Sequence, residues 1–322
     1  MKNCIGALVA ILVVAWSALP ASAAGFKEEP VLIPIGDGHL LGTLTVPDVG
    51  GPFPVALIIA GSGPTDRDGN SSMLKTDAYK KLAQGLAVAG IATLRYDKRG
   101  IGQSTTVNQS ESELRFDDYV SDAVACTQFL EDDERFSSVS IIGHSEGSLV
   151  GILAAQSDPK VRALVSLEGA GRDLATIVNE QIRNSPGTPM AIVKEVESIN
   201  ASLLAGQTVP NPDPALNALF RPSVQPFLIS EYRYDPAKEI AKLKIPVLIV
   251  HGSTDIQVSA TDANLLAAAD PKARVVTIPG MNHILVDAPL DRNGNIATYS
   301  QPGLPLSPTL VPTIAQFLAT AK

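Results

Sequence analysis

Residues 139–151 read VSIIGHSEGSLVG. An apolar, largely β-branched run, Val139–Gly143, stops at Gly143-His144-Ser145-Glu146-Gly147, and small and apolar residues resume over Ser145–Gln156. Continuous apolar runs of this length read as strands buried on both faces, and the resumption reads as a helix. Glycines at 143 and 147 suit a sharp strand-to-helix turn that leaves no room for side chains on either side of the serine. The motif is short enough to arise by chance, so its meaning rests on the rest of the chain.

The same alternation runs outward in both directions. Val31–Ile35 and Leu40–Val46 read as strands joined by Gly36-Asp37-Gly38, a hairpin expected to add antiparallel strands at one edge. Pro54–Ala60 and Ile91–Asp97 read as buried strands around an amphipathic helix, Thr76–Ala89, that ends at Gly90. A long helix over Leu114–Glu134, with acidic residues on its outer face, leads into Val139. Val161–Leu167, Pro246–Val250 and Arg274–Ile278 supply further strands, and Thr309–Thr320 a last helix. Such a pattern implies an α/β fold with a parallel sheet covered on both faces. Between Gly169 and Leu243 only helical segments and the proline-rich Val209–Pro214 occur. A connection that long is expected to form a helical lid or small subdomain, about residues 170–243.

The 322 residues, 45% hydrophobic and 18% charged, can bury the core of one large α/β domain or two smaller ones. A net charge of −8 leaves no excess of Lys and Arg for phosphates, which argues against nucleic acid as a partner. Lys2, the apolar run Ile5–Trp16 and Ala21-Ser22-Ala23 follow the order of a secretory signal peptide, residues 1–23. The run is shorter than the roughly 20 residues a membrane span needs. The expectation is a secreted or periplasmic domain, 24–322, with no stable membrane anchor after cleavage. Cys126 would then be the one cysteine left, a buried structural thiol in a helical pattern with no disulfide partner.

An open parallel sheet binds its ligands at the carboxyl ends of its strands. Those ends carry Gly61-Ser62-Gly63, Asp97-Lys98-Arg99-Gly100, the turn around Ser145, His251-Gly252-Ser253-Thr254-Asp255, and Gly280-Met281-Asn282-His283. They supply a serine, an acid and a histidine in the order Ser145, Asp255, His283, the order associated with a nucleophile elbow. Ser145 would attack, His283 would take its proton, and Asp255 would hold the imidazole in one tautomer. Glu168 also follows a strand end and competes with Asp255 for the acid. The backbone N–H of Glu146, at a helix start, and that of Ser62, or its neighbour Gly63, would face a developing oxyanion. His39, His144 and His251 read as structural or pocket-wall residues, and Arg67, Asp68 and Arg99 as an entrance lining or a salt-bridged turn network. Asp66–Asn70 and Asp291–Asn295 look superficially like calcium loops but lack the glycine and glutamate an EF-hand needs, and Gly61-Ser62-Gly63 lacks the third glycine of a dinucleotide site.

With these residues assembled, the chain resembles the α/β-hydrolase superfamily from about Val31 onward. AGSGPTDRDGN, YDKRGIGQS, GHSEGS, HGSTDIQV and GMNHIL together are similar to a group of bacterial serine esterases, related to the acyl-CoA thioesterase and serine peptidase branches. The resemblance implies an eight-stranded sheet, an inserted helical cap, no cofactor and no metal. It carries over Ser145, Asp255 and His283 as the catalytic triad, and Ser62 and Glu146 as oxyanion donors. It implies a serine carboxylesterase acting on small-molecule esters with small or medium acyl groups through an acyl-enzyme. A peptidase or thioesterase would use the same triad, and a peptidase taking free amino termini would want acids in the cap, for which Glu180, Glu195, Glu197 and Glu231 are candidates. A non-catalytic binding protein could keep the fold, but it need not keep serine, histidine and acid together. Two departures stand out: Ala60 occupies a position where many relatives have histidine, and the proline-rich Asp287–Pro308 is expected to shape the pocket rim.

Overall fold

The apolar runs become the strands of one eight-stranded sheet in a computed structural model that describes residues 25–36, 38–72, 74–104 and 110–321. The proposed signal peptide lies outside the described residues. In chain order the elements are β1 (Phe26–Ile35), β2 (Gly38–Pro47), β3 (Phe53–Ile59), α1 (Ala78–Val88), β4 (Ala92–Tyr96), α2 (Phe116–Glu131), β5 (Phe136–His144), α3 (Glu146–Ser157) and β6 (Val161–Leu167). Then come α4 (Leu174–Arg183), α5 (Met190–Leu204), α6 (Asn217–Phe220), α7 (Gln225–Glu231), α8 (Pro236–Ile240), β7 (Val247–Gly252), α9 (Ala260–Ala269), β8 (Arg274–Ile278), α10 (Arg292–Ala297) and α11 (Leu310–Thr320).

The strand order is β1-β2-β4-β3-β5-β6-β7-β8. β2 pairs antiparallel with both β1 and β4, and the other pairings are parallel, so β2 alone runs against the sheet. Period-two alternation divides the apolar residues between two cores. On β3, Val55, Leu57 and Ile59 face one side, with α2, α3 and the helices after β6. Ala56, Ile58 and Ala60 face the other, with α1 and α11. β5, the strand of the opening stretch, is central between β3 and β6. The helix it feeds, α3, is buried from Gly147 through Ala155, which accounts for its nearly continuous run of small and apolar residues.

The segment between β6 and β7 contains α4 to α8 and no strand, and its Val196, Ile199, Phe220, Phe227 and Tyr232 extend the core on the α3 side. No helix among the described residues is long and apolar enough to cross a membrane. One expectation about α2 needs correction. Its acidic face is not wholly outward: Asp122 is buried, and Arg99 from the loop after β4 donates to it at 2.8 Å. Charge on a helix says where solvent is expected only when no cation is folded against it.

Candidate active site

The elbow at Ser145 is forced by contact. A Cβ on Gly143 would stand 2.1 Å from the Gly147 carbonyl oxygen, and one on Gly147 would stand 2.4 Å from that of Ile59. Both glycines are therefore required by the packing of the turn against β3. Ser145 itself takes φ 54° and ψ −122°, a conformation rare for a side-chain-bearing residue, which lifts its hydroxyl off the end of β5.

Three strand ends meet over that hydroxyl. His283, in the loop after β8, brings Nε2 to 3.1 Å from Ser145 Oγ, and its Nδ1 lies 2.7 Å from Asp255 Oδ2, in the loop after β7. The other oxygen of Asp255 accepts from the backbone N–H groups of Gln257 and Val258, at 2.7 and 3.0 Å. Burial alone would raise the Asp255 carboxyl, but the His283 imidazole together with the hydrogen bonds the carboxylate accepts holds it below the usual aspartate range. An ionised Asp255 fixes the proton on His283 Nδ1 and leaves Nε2 free to accept from the serine hydroxyl.

Glu168, the competing acid, makes no hydrogen bond to His283 among the described residues. It follows β6 at φ 49°, its Oε2 lies 3.1 Å from His251 Nδ1, and its Oε1 has no hydrogen-bond partner among the described residues. Burial, and then the neighbouring charge of Asp255, pushes its carboxyl well above the usual range. Glu168, His251 and Asp255 bring potential metal-ligand atoms within 4.8 Å of one another. Both oxygens of Asp255 are engaged, by His283 and by the Gln257 and Val258 N–H groups.

Two residues given no role from the sequence, Tyr79 and Lys98, tie the site together. Tyr79 on α1 accepts from the Gly61 N–H at 3.1 Å, and its hydroxyl lies 2.8 Å from His144 Nδ1. His144 Nε2 lies 2.8 Å from the His283 carbonyl oxygen, which can only accept, so Nε2 carries the proton and Tyr79 donates to Nδ1. Burial, with the His283 ring adjacent, pushes His144 down to about 3 and keeps it neutral. On the other side, the buried Lys98 donates to the Gly61 carbonyl at 2.6 Å and lies 3.6 Å from Glu146 Oε2. Gly61 is thus held at both its N–H and its C=O. The N–H groups of Ser62 and Glu146, by contrast, have no acceptor among the described residues.

Space opens on both sides of the hydroxyl. A cavity of about 320 Å³ runs from Ser62, Ser145 and Glu146 up into the helices between β6 and β7, where Leu149, Ile177, Phe220, Phe227 and Glu231 wall it. A recess of about 120 Å³ lies on the His283 side, against Tyr79, Gln257 and Tyr299. Tyr299, from the proline-rich segment, accepts from Gln257 Nε2 at 2.9 Å and forms part of the rim. The Arg67, Asp68 and Arg99 group is a turn network: Arg67 pairs with Asp97 at 3.1 Å and Asp68 with Arg95 at 2.8 Å. His39 is on β2, away from the site.

A nucleophile elbow, an Asp–His pair at later strand ends and helices inserted after β6 are features of the α/β-hydrolase fold, which this chain has. Residues 75–176 match the family model described as serine aminopeptidase, S33. Over 267 residues, 81% of this chain, it is 26% identical to esterase EstD of Thermotoga maritima. The chain spans 60% of that protein's length. Among solved structures it is similar to Est1E from Butyrivibrio proteoclasticus, with TM-score 0.58 and 19% identity over 90% of this chain and 97% of that one. Proline iminopeptidase of Mycobacterium smegmatis gives TM-score 0.59 and 14% identity over 91% and 98%.

Proposed function

We propose that the protein is a serine carboxylesterase that works through an acyl-enzyme. The observation that carries this reading is the continuous line from Asp255 Oδ2 through His283 to Ser145 Oγ, at 2.7 and 3.1 Å. Ser145 Oγ attacks the ester carbonyl as its proton passes to His283 Nε2, and the N–H groups of Glu146 and Ser62 receive the oxyanion. His283 then gives the proton to the leaving alcohol, and water, activated by the same nitrogen, releases the acid. Since the leaving oxygen must be within reach of Nε2, the alcohol belongs in the recess of about 120 Å³ beside His283. The acyl group belongs in the cavity of about 320 Å³ on the far side of Ser145, a size that suits small or medium chains. Similarity to EstD supports an ester as the scissile bond. The signal-peptide pattern at residues 1–23 supports action outside the cytoplasm, in the periplasm or the medium.

The peptidase reading, favoured by the family model's description, keeps the triad and changes the leaving group. Purified protein is assayed on a chain-length series of 4-nitrophenyl esters beside amino-acid 4-nitroanilides. The expectation is ester hydrolysis with little anilide cleavage, and a loss of at least about a thousandfold in kcat for Ser145→Ala. Inert esters, or a Ser145→Ala variant with nearly full activity, would end the proposal.

A further inference from the structure

The cap cavity has a mixed wall, and one of its buried polar groups lacks a partner. Four glutamates between Glu180 and Glu231 are candidates for recognising a polar group, and three are engaged elsewhere. Glu180 pairs with Arg172, Glu197 with Arg183, and Glu195 accepts from the Asp213 N–H. Glu231, at the end of α7, is 4% exposed, lines the cavity, and has an Oε2 with no hydrogen-bond partner among the described residues. Lys98 acts on it through charge but makes no hydrogen bond to it among the described residues. Phe227 and Leu228 flank it on α7, and the adjacent Tyr232 hydroxyl is turned away, donating to Asn200 at 2.7 Å. The two arginines on the cavity wall are also matched, Arg172 to Asp262 and Arg221 to Glu111. A buried carboxyl left without a partner costs free energy that a ligand group can recover.

The charge balance decides what that group is. Lys98 lies 3.6 Å from Glu146, and among the described residues no other lysine or arginine is paired with either glutamate. Burial, and then the Glu146 charge, pushes Glu231 well above the usual range, so it sits in the cavity as a neutral acid. A neutral carboxyl both donates and accepts, which matches a hydroxyl. An ammonium would require Glu231 to ionise beside Glu146 while buried. Resting on the esterase reading, we propose that Glu231 selects substrates whose acyl group ends in a hydroxyl, bound at the cap end of the cavity.

The test compares 4-nitrophenyl esters matched in heavy-atom count: heptanoate, 6-hydroxyhexanoate and 6-aminohexanoate, with homologues two carbons shorter and longer. At the chain length that reaches Glu231, the wild type is expected to favour the hydroxyl over the methyl terminus by about tenfold or more in kcat/KM. Glu231→Leu should reverse that order, and Glu231→Gln, which can still donate and accept, should keep it. The proposal is overturned if the wild type favours the methyl terminus at every length, if it favours the amine over the hydroxyl, or if Glu231→Leu leaves the ratio unmoved. The wild-type ratio decides the matter even if both variants fail to fold. Should no ester be cleaved, heptanoate included, the esterase reading itself falls; should heptanoate be cleaved without a hydroxyl preference, only the role of Glu231 falls.

Discussion

Behind His283, Asp255 and Glu168 lie together with imidazoles as their neighbours, whereas below the cap cavity Glu146 and Glu231 share the surroundings of one lysine, Lys98. Each pair is a case of two buried carboxyls that cannot both ionise cheaply. On the histidine side the charge belongs to Asp255, because His283 and two backbone N–H groups stabilise it there, and the proton belongs to Glu168. On the cavity side the cation is Lys98, whose own pKa burial lowers. Burial raises both Glu146 and Glu231, and Lys98, 3.6 Å from Glu146, opposes it; in the proposed reading the charge stays on Glu146 and Glu231 is the neutral group lining the cavity. In the proposed reading the same electrostatic rule gives a fixed catalytic orienter in one place and an open recognition group in the other.

The sharpest way to break this contrast is to exchange the acids behind His283. Asp255→Asn should lower kcat by about 10³–10⁴-fold, because an amide no longer fixes the Nδ1–H tautomer or stabilises the imidazolium. Glu168→Gln should stay within about tenfold of wild type, since a neutral amide replaces a neutral acid. Initial rates on one short-chain ester measure both. Equal losses would mean that Glu168 and Asp255 act as one unit and that the division of charge drawn here is wrong.

The cavity side is tested through Lys98. Lys98→Met leaves Glu146 without its cation and releases the Gly61 carbonyl, so it should cost about 3 kcal/mol or more in chemical denaturation. Adding Glu146→Gln should restore part of that loss, since the uncompensated carboxylate goes with it. A single variant as stable as wild type would show that Lys98 does not hold the pair.

Much of this was legible in the sequence, and the reason is geometric. Ser145, Asp255 and His283 each follow an apolar run, and a parallel sheet carries all such ends to one edge, so their meeting could be read without knowing strand order. Choosing between Asp255 and Glu168 could not be read that way, because both follow strands. The choice depends on which loop carries its carboxyl to His283 Nδ1. Lys98 and Tyr79 stayed silent for a different reason. Both bond the backbone of Gly61, besides His144 and Glu146, and a side chain that bonds backbone 37 or 18 residues away leaves no residue-type signature. Asp122 was misread as outward because its partner, Arg99, comes from a separate loop after β4.

The smallest effect expected is also the one that isolates the proton on Glu168. A carboxyl whose folded pKa lies above its unfolded value binds the proton more tightly in the native state. Stability is then greatest below the unfolded pKa and falls as pH rises above it, until the folded pKa is reached. Glu168 is raised by burial and by Asp255, so wild type should lose up to about 1.4 kcal/mol per pH unit at this site above the ordinary glutamate range. Glu168→Gln removes that slope and leaves the neighbouring acids in place. Its melting temperature relative to wild type should therefore climb between pH 5 and pH 8. A constant difference across that interval would mean that Glu168 is ionised beside Asp255, and the two sides of Ser145 would then no longer differ in the way proposed.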